Sequence, residues 1–217
     1  MNYYQKFENI LDEVRNSKIV PKLLLHACCG PCSSYCLELL TNYFDITILY
    51  YNPNIYPDKE YSRRLDELKE LLTKLPHKNS ISLFEVDYNP LDYYQAIKGL
   101  EHLGEKSKRC YECYKLRMEE AFKYASLNKY DYCTTTLSIS PYKVSNWINE
   151  IGIDLEKEYG VKYLYSDFKK KNGYKRSIEL SNIYNMYRQD YCGCVYSKLE
   201  HDKKLVNNEL KCEIGIY

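Results

Sequence analysis

Short apolar runs alternate along the chain with longer stretches whose apolar residues recur every three or four positions. MNYYQKFENILDEV at the start reads as an amphipathic helix. Lys22–Cys28 (KLLLHAC) is an apolar run broken by Cys29-Gly30-Pro31, and Ser33–Tyr43 carries Cys36, Leu37, Leu39 and Leu40 at helical spacing. Asp45–Tyr51 (DITILYY) predicts a second strand, closed by the Asn52-Pro53-Asn54 turn. Asp58–Leu75 predicts a charged helix stopped by Pro76, Ile81–Tyr88 a third strand, and Leu91–Lys98 a further helix. The polar stretch 101–109 delivers Cys110 and Cys113 to the start of another helix. Tyr130–Leu137 and Val161–Phe168 predict the fourth and fifth strands, on either side of a helix over 143–159 that Gly152 weakens. A basic loop, 169–176, leads into a helix over 177–188, and Cys192-Gly193-Cys194 follows it.

Strands that alternate with helices predict an α/β fold with a parallel sheet of about five strands covered on both faces. No internal repeat or linker interrupts the pattern. It implies one domain over 1–217, with a core at about 22–198 and the N-terminal helix and C-terminal tail as extensions. Ligands of such sheets gather at the carboxyl ends of the strands. That rule gives Cys28, Cys29 and Cys32, at the end of the first strand, and Asp167, at the end of the fifth, as candidate site residues.

The net charge of +1 and pI near 7.5 exclude a global basic field, so any nucleic-acid contact must come from local patches. No run of 18 apolar residues predicts a membrane span, and no apolar export signal opens the chain. The expected location is therefore the cytoplasm, where thiols stay reduced. Grouped cysteines there read as metal or redox sites rather than as a disulfide framework.

Ten cysteines make that point matter. In Cys28-Cys29-Gly30-Pro31-Cys32 the Gly-Pro pair turns the chain, so that thiols converge from a strand end and a helix start, where the helix terminus favours thiolate. Cys29–Cys32 also spells the CGPC of thiol–disulfide oxidoreductases, but a cysteine precedes it and two further close pairs exist. Cys110-Tyr111-Glu112-Cys113 is a metal half-site; with Cys28 and Cys29 it supplies four thiolates, the complement of a 4Fe–4S cluster or of tetrahedral zinc. Cys192-Gly193-Cys194 can bind one metal, or close a strained and easily reduced ring that stores two electrons. Cys36, Cys133 and Cys212 read as structural. Seven grouped thiols exceed what one tetrahedral metal needs, which points to a cluster plus a second redox element.

CCGPC at Cys28–Cys32, R-C-x-x-C-x-x-x-R at Arg109–Arg117 and Y-R-Q-x-Y-C-G-C at Tyr187–Cys194 together resemble the epoxyqueuosine reductase family QueH, as does Ser166-Asp167-Phe168-Lys169-Lys170 followed by Gly173 and Ser177. The resemblance implies a Rossmann-like (HUP-type) fold and an iron–sulfur oxidoreductase. Its reaction would convert epoxyqueuosine at the wobble position of tRNA to queuosine, the last step of queuosine biosynthesis, with electrons from a donor the sequence does not identify. It further implies Cys28, Cys29, Cys110 and Cys113 as 4Fe–4S ligands, Cys32 at a second iron or other metal ion, and Cys192 and Cys194 as a redox-active pair able to form a disulfide. Asp167 or Tyr191 would protonate the leaving oxygen. Lys169, Lys170, Lys171, Lys175 and Arg176, with Tyr174 as a stacking ring, would meet the tRNA. Three other classes compete: a protein thiol–disulfide oxidoreductase working through CGPC, a metal-binding module without catalysis, and an ATP-dependent tRNA thiolase. The last lacks the Ser-Gly-Gly-rich pyrophosphate loop after its first strand.

Overall fold

A computed structural model describes residues 2–213 and the side chains up to residue 206. Cys212 therefore lies outside the residues whose side chains are described. Five strands, β1 (Lys22–His26), β2 (Asp45–Tyr50), β3 (Ile81–Glu85), β4 (Tyr132–Thr135) and β5 (Lys162–Tyr163), form one sheet in the order β3-β2-β1-β4-β5, with every pairing parallel. The helices are α1 (Tyr3–Asn16), α2 (Gly30–Leu40), α3 (Asp58–Lys74), α4 (Pro90–Ala96), α5 (Lys108–Leu127), α6 (Ser145–Tyr159), α7 (Gly173–Ile183) and α8 (Val195–Glu213). This is the Rossmann-like α/β arrangement, and its strand order reverses direction on either side of β1.

The central strand shows why its apolar run does not alternate. Successive side chains point to opposite faces, and both faces are covered. Leu23 and Leu25 pack with Phe7 and Leu11 of α1, Leu37 of α2 and Leu68 of α3. Leu24 packs on the other side with Met118 and Phe122 of α5 and Ile148 and Ile151 of α6. Cys36 and Cys133 are buried in these two layers. Among the described residues no helix is long and apolar enough to cross a membrane.

Among the boundaries that differ from the sequence expectation, three have clear local reasons. The fifth strand is two residues rather than 161–168 because the amide of Asn149 replaces a strand partner. It accepts from the Ser166 N–H at 3.0 Å and donates to the Ser166 carbonyl at 2.7 Å, drawing the chain away from β4. The fourth strand stops at Thr135, whose hydroxyl accepts the Leu137 N–H and turns the chain into a single 3-10 turn, Thr136–Ile139. The basic loop ends earlier than expected. Lys171 and Asn172 take positive φ (47° and 64°), and α7 begins at Gly173, where a Cβ would lie 1.9 Å from the Phe168 carbonyl oxygen. Gly173–Arg176 is thus the first turn of α7, and the expected helix 177–188 ends at Ile183, leaving 184–194 irregular.

Candidate active site

β1 ends at His26, and the chain turns through Ala27, Cys28 and Cys29 into α2, with Cys29 as its N-cap and Pro31 in its first turn. Gly30 is required here. A Cβ would sit 3.0 Å from the Glu67 carbonyl oxygen of α3 and 3.2 Å from the Met186 sulfur. His26 fixes the strand end, with Nε2 3.1 Å from the Tyr51 carbonyl and Nδ1 2.8 Å from the Thr135 hydroxyl. A carbonyl only accepts, so Nε2 carries the proton. Burial, aided by Arg117, brings the imidazole down to about 4, so the ring is neutral at physiological pH.

The turn gathers three thiols. The sulfurs of Cys28, Cys29 and Cys32 all lie within 4.8 Å of one another, and those of Cys28 and Cys29 are 3.8 Å apart. Cys28 is pushed well below the usual thiol range, first by hydrogen bonding from Cys29 and Cys32 and then by the nearby Lys143 and Arg117. Cys29 and Cys32 are raised in turn, because Cys28 holds the shared negative charge. Three soft donors that can share a metal, in a cationic setting that favours thiolate, can hold a metal ion.

The remaining grouped thiols form a neighbouring set. Cys113, one turn into α5, packs with Cys194, Tyr93 and Ile97, and Cys110 lies within electrostatic reach of Cys192 and Cys194. Cys110 also packs at the border of the apolar cluster that contains Cys28 and Cys29. Burial raises Cys113 to about 12 despite Arg117 beside it. Cys194 caps α8, its sulfur accepting the Ser197 N–H at 3.4 Å. Gly193 has φ 125°, and a Cβ there would meet the Arg64 guanidinium at 2.9 Å. Tyr56 N–H donates to the Gly193 carbonyl at 2.8 Å, while the Tyr191 hydroxyl donates to the Tyr56 carbonyl at 2.6 Å. The Cys192–Cys194 turn is therefore strapped to the β2–α3 connection. All nine cysteines with described side chains are free thiols.

Buried positive charge separates and surrounds the two sets. Arg64, 2% exposed, pairs with Glu60 at 2.7 Å and donates to the Cys192 carbonyl at 3.3 Å. Arg117 donates through Nε to the Cys113 carbonyl, but one of its terminal nitrogens is buried without a partner. Lys143 is buried too, and neither it nor Arg117 has a carboxylate within 4.0 Å among the described residues. An unpaired buried cation costs several kcal/mol, so anionic thiolates are its natural counter-charge. The Gln189 amide adds an N–H to Cys29 Sγ at 3.1 Å.

A cavity of about 300 Å³ opens onto this edge. Cys32 and Cys192, one thiol from each set, line it together with Lys143. Tyr142, 68% exposed, Tyr174, Arg188 and Lys204 form part of its wall and mouth. Asp167 does not line this cavity. It borders a separate hollow with Tyr3, Tyr4 and Asn146 and pairs with Lys169 at 3.3 Å. The five basic residues of 169–176 are mostly engaged. Lys169 also donates to Ser145, Lys171 pairs with Glu8, and Arg176 grips Glu38 with two nitrogens, at 2.6 and 2.9 Å. Only Lys170 and Lys175 have no carboxylate partner among the described residues.

Sequence reasoning missed Arg64, Lys143 and Gln189. Arg64 sits in a charged amphipathic helix where nothing distinguishes it from solvated Arg63, and Lys143 follows a Ser-Pro-Tyr turn that resembles any loop. Gln189 lies within Tyr187–Cys194, where an amide has no chemical signature beside two cysteines.

A parallel sheet with its thiols gathered at the carboxyl edge, beside a cavity lined by polar and aromatic side chains, defines a cysteine-centred α/β protein whose Cys28, Cys29 and Cys32 could hold a metal ion. Comparison with known proteins narrows this class. The profile of the family epoxyqueuosine reductase QueH matches residues 23–200, and the chain belongs to that family. It is 41% identical to the epoxyqueuosine reductase QueH of Streptococcus pyogenes serotype M1, over 91% of this chain and 78% of that one. Identity to the protein of the same name from Staphylococcus aureus is 40%, over 100% and 93%. To that from Thermotoga maritima it is 36%, over 84% and 93%. Among solved structures, NMN synthetase from Francisella tularensis aligns over 86% of this chain and 96% of its own, with a TM-score of 0.37 and 14% identity.

Proposed function

We propose that the chain, acting as one α/β unit in the cytoplasm, reduces epoxyqueuosine in tRNA to queuosine. The observation that carries this reading is the cavity lined by Cys32 and Cys192, which brings one thiol from each set to a single ligand-sized space. Family membership supports the substrate. The rival CGPC oxidoreductase is disfavoured because Cys29 is fully buried and its sulfur is shared with Cys28, Cys32 and Gln189, out of reach of a protein disulfide.

In this proposal Cys28, Cys29, Cys110 and Cys113 hold a 4Fe–4S cluster, and Cys32 contributes to a second metal site, iron or another. Soft thiolates suit such groups; Cys28, Cys29 and Cys32 are already gathered, with Cys110 packed beside them and Cys113 in the neighbouring set. When bound, an iron–sulfur centre supplies electrons singly. The chain's own residues do the rest. Tyr142 and Tyr174 offer stacking faces to bases, and Arg188 and Lys204 offer positive charge to phosphates at the mouth. Lys170 and Lys175 extend that charge. Cys192 fronts the cavity while Cys194 lies behind it. Closing these two thiols to a disulfide releases two electrons and two protons, which balance the conversion of an epoxide to an alkene and water. A separate cellular donor then restores the dithiol.

The test is made in a bacterium from which its own epoxyqueuosine reductase has been deleted. Expression of this chain should restore queuosine in digested tRNA, read by liquid chromatography and mass spectrometry, as epoxyqueuosine disappears. Unchanged epoxyqueuosine with soluble, metal-loaded protein present contradicts the proposal.

A further inference from the structure

The reduction leaves one chemical demand unmet: as the epoxide C–O bonds break, negative charge builds on the departing oxygen, and a donor must meet it inside a water-poor cavity. One buried cation on the cavity wall is placed for this. Lys143 is buried, lines the cavity, and lies within electrostatic reach of Cys28, Cys32, Cys192 and Tyr114. Its backbone is fixed. The Lys143 N–H closes a turn onto the Ser140 carbonyl at 3.2 Å, directly after the 3-10 turn, and Val144 caps α6. No side-chain hydrogen bond and no ion pair engages its ammonium among the described residues. By contrast, Arg64 is engaged by Glu60 and the Cys192 carbonyl, and Arg188 is turned by one nitrogen onto the Ser177 carbonyl and the Ser181 hydroxyl. Asp167 lines a different hollow, and the Tyr191 hydroxyl is committed to the Tyr56 carbonyl.

We propose that Lys143 is a catalytic residue whose free ammonium, on the cavity wall that Cys32 and Cys192 also line, donates a hydrogen bond to the epoxide oxygen and stabilises the charge that develops as that oxygen leaves. This rests on the reductase reading above. Two electrons enter the epoxide carbons, both C–O bonds break, and the C–C bond becomes double. The oxygen departs as water with the two protons released when the thiol pair closes. Lys143 stays an ammonium throughout; it neither stores electrons nor holds a metal.

The experiment compares wild type, Lys143→Met, Lys143→Ala and Lys143→Arg, prepared anaerobically and given epoxyqueuosine-containing tRNA with a low-potential reductant. Iron and sulfide content, tRNA affinity and the single-turnover rate are measured on each. The expected result is unchanged metal content and tRNA affinity in all three variants. The rate should fall about 100- to 1000-fold in Lys143→Met and Lys143→Ala, the scale of losing one donor to a developing oxyanion. It should stay within about tenfold of wild type in Lys143→Arg, which keeps a donor and a charge, and methylammonium should restore part of the Lys143→Ala rate in a saturable way. A Lys143→Met rate within tenfold of wild type overturns the inference. So does a loss of rate that tracks loss of iron, because the lysine would then serve the thiolates rather than the substrate. An inactive wild type with full metal content would instead count against the reductase reading itself.

Discussion

Cys192→Ser and Cys194→Ser should each abolish queuosine formation, by about a thousandfold or more, while the protein keeps its metal. Losses of that size follow removal of a group on which a chemical step depends. The two cysteines are separated only by Gly193, whose φ of 125° a side chain rarely adopts, and the turn is held by hydrogen bonds from Arg64 and Tyr56. Cys192 faces the cavity and Cys194 is buried against Cys113, so in the proposed reaction one thiol would meet the substrate and the other stand behind it. Mild oxidation of the wild type should therefore remove two titratable thiols, and peptide mass spectrometry should recover a 192–194 linkage. If both variants lose iron and no linkage forms, these thiols are metal ligands and the redox-pair assignment fails.

Cys28→Ser should reduce bound iron and sulfide to background after anaerobic preparation and lower the melting temperature by several degrees. Both effects have one cause, since metal binding energy in such sites is also folding energy. Cys28 is the thiol to which its two neighbours donate and the one Lys143 and Arg117 favour as thiolate. Removing it leaves two buried cations with less counter-charge as well as a broken donor set. Cys36→Ser is the control. Its sulfur is equally buried but donates only to the Cys32 carbonyl, at 3.4 Å, so this variant should keep its metal and lose only a modest amount of stability. Wild-type iron in Cys28→Ser would remove Cys28 from the ligand set.

The sheet was legible because the apolar runs of β1, β2 and β4 are buried on both faces and separated by helices of clear period. The end of β5 was not, because the apolar letters of Val161–Phe168 continue while the partner of Ser166 is the side chain of Asn149, which no pattern of hydrophobic residues encodes. α8 was not anticipated as a helix, yet it lines the cavity through Ser197, Glu200, His201 and Lys204. For the site, spacing identified which cysteines belong in groups, and the resemblance suggested their roles. Tertiary packing decided what surrounds them. The burial of Arg64, Arg117 and Lys143, and the pairing of Lys171 and Arg176 with Glu8 and Glu38, depend on contacts between residues far apart in sequence. A string of lysines looks the same whether its charges are free or already matched.

The most direct test of the central claim is a defined reaction. Anaerobically purified, metal-loaded protein is incubated with epoxyqueuosine-containing tRNA and a low-potential reductant, and the digested nucleosides are followed by mass spectrometry. The account predicts stoichiometric conversion of epoxyqueuosine to queuosine, a loss of one oxygen atom, dependent on both protein and reductant. Metal-loaded protein that binds the tRNA yet leaves epoxyqueuosine at its starting level would contradict it.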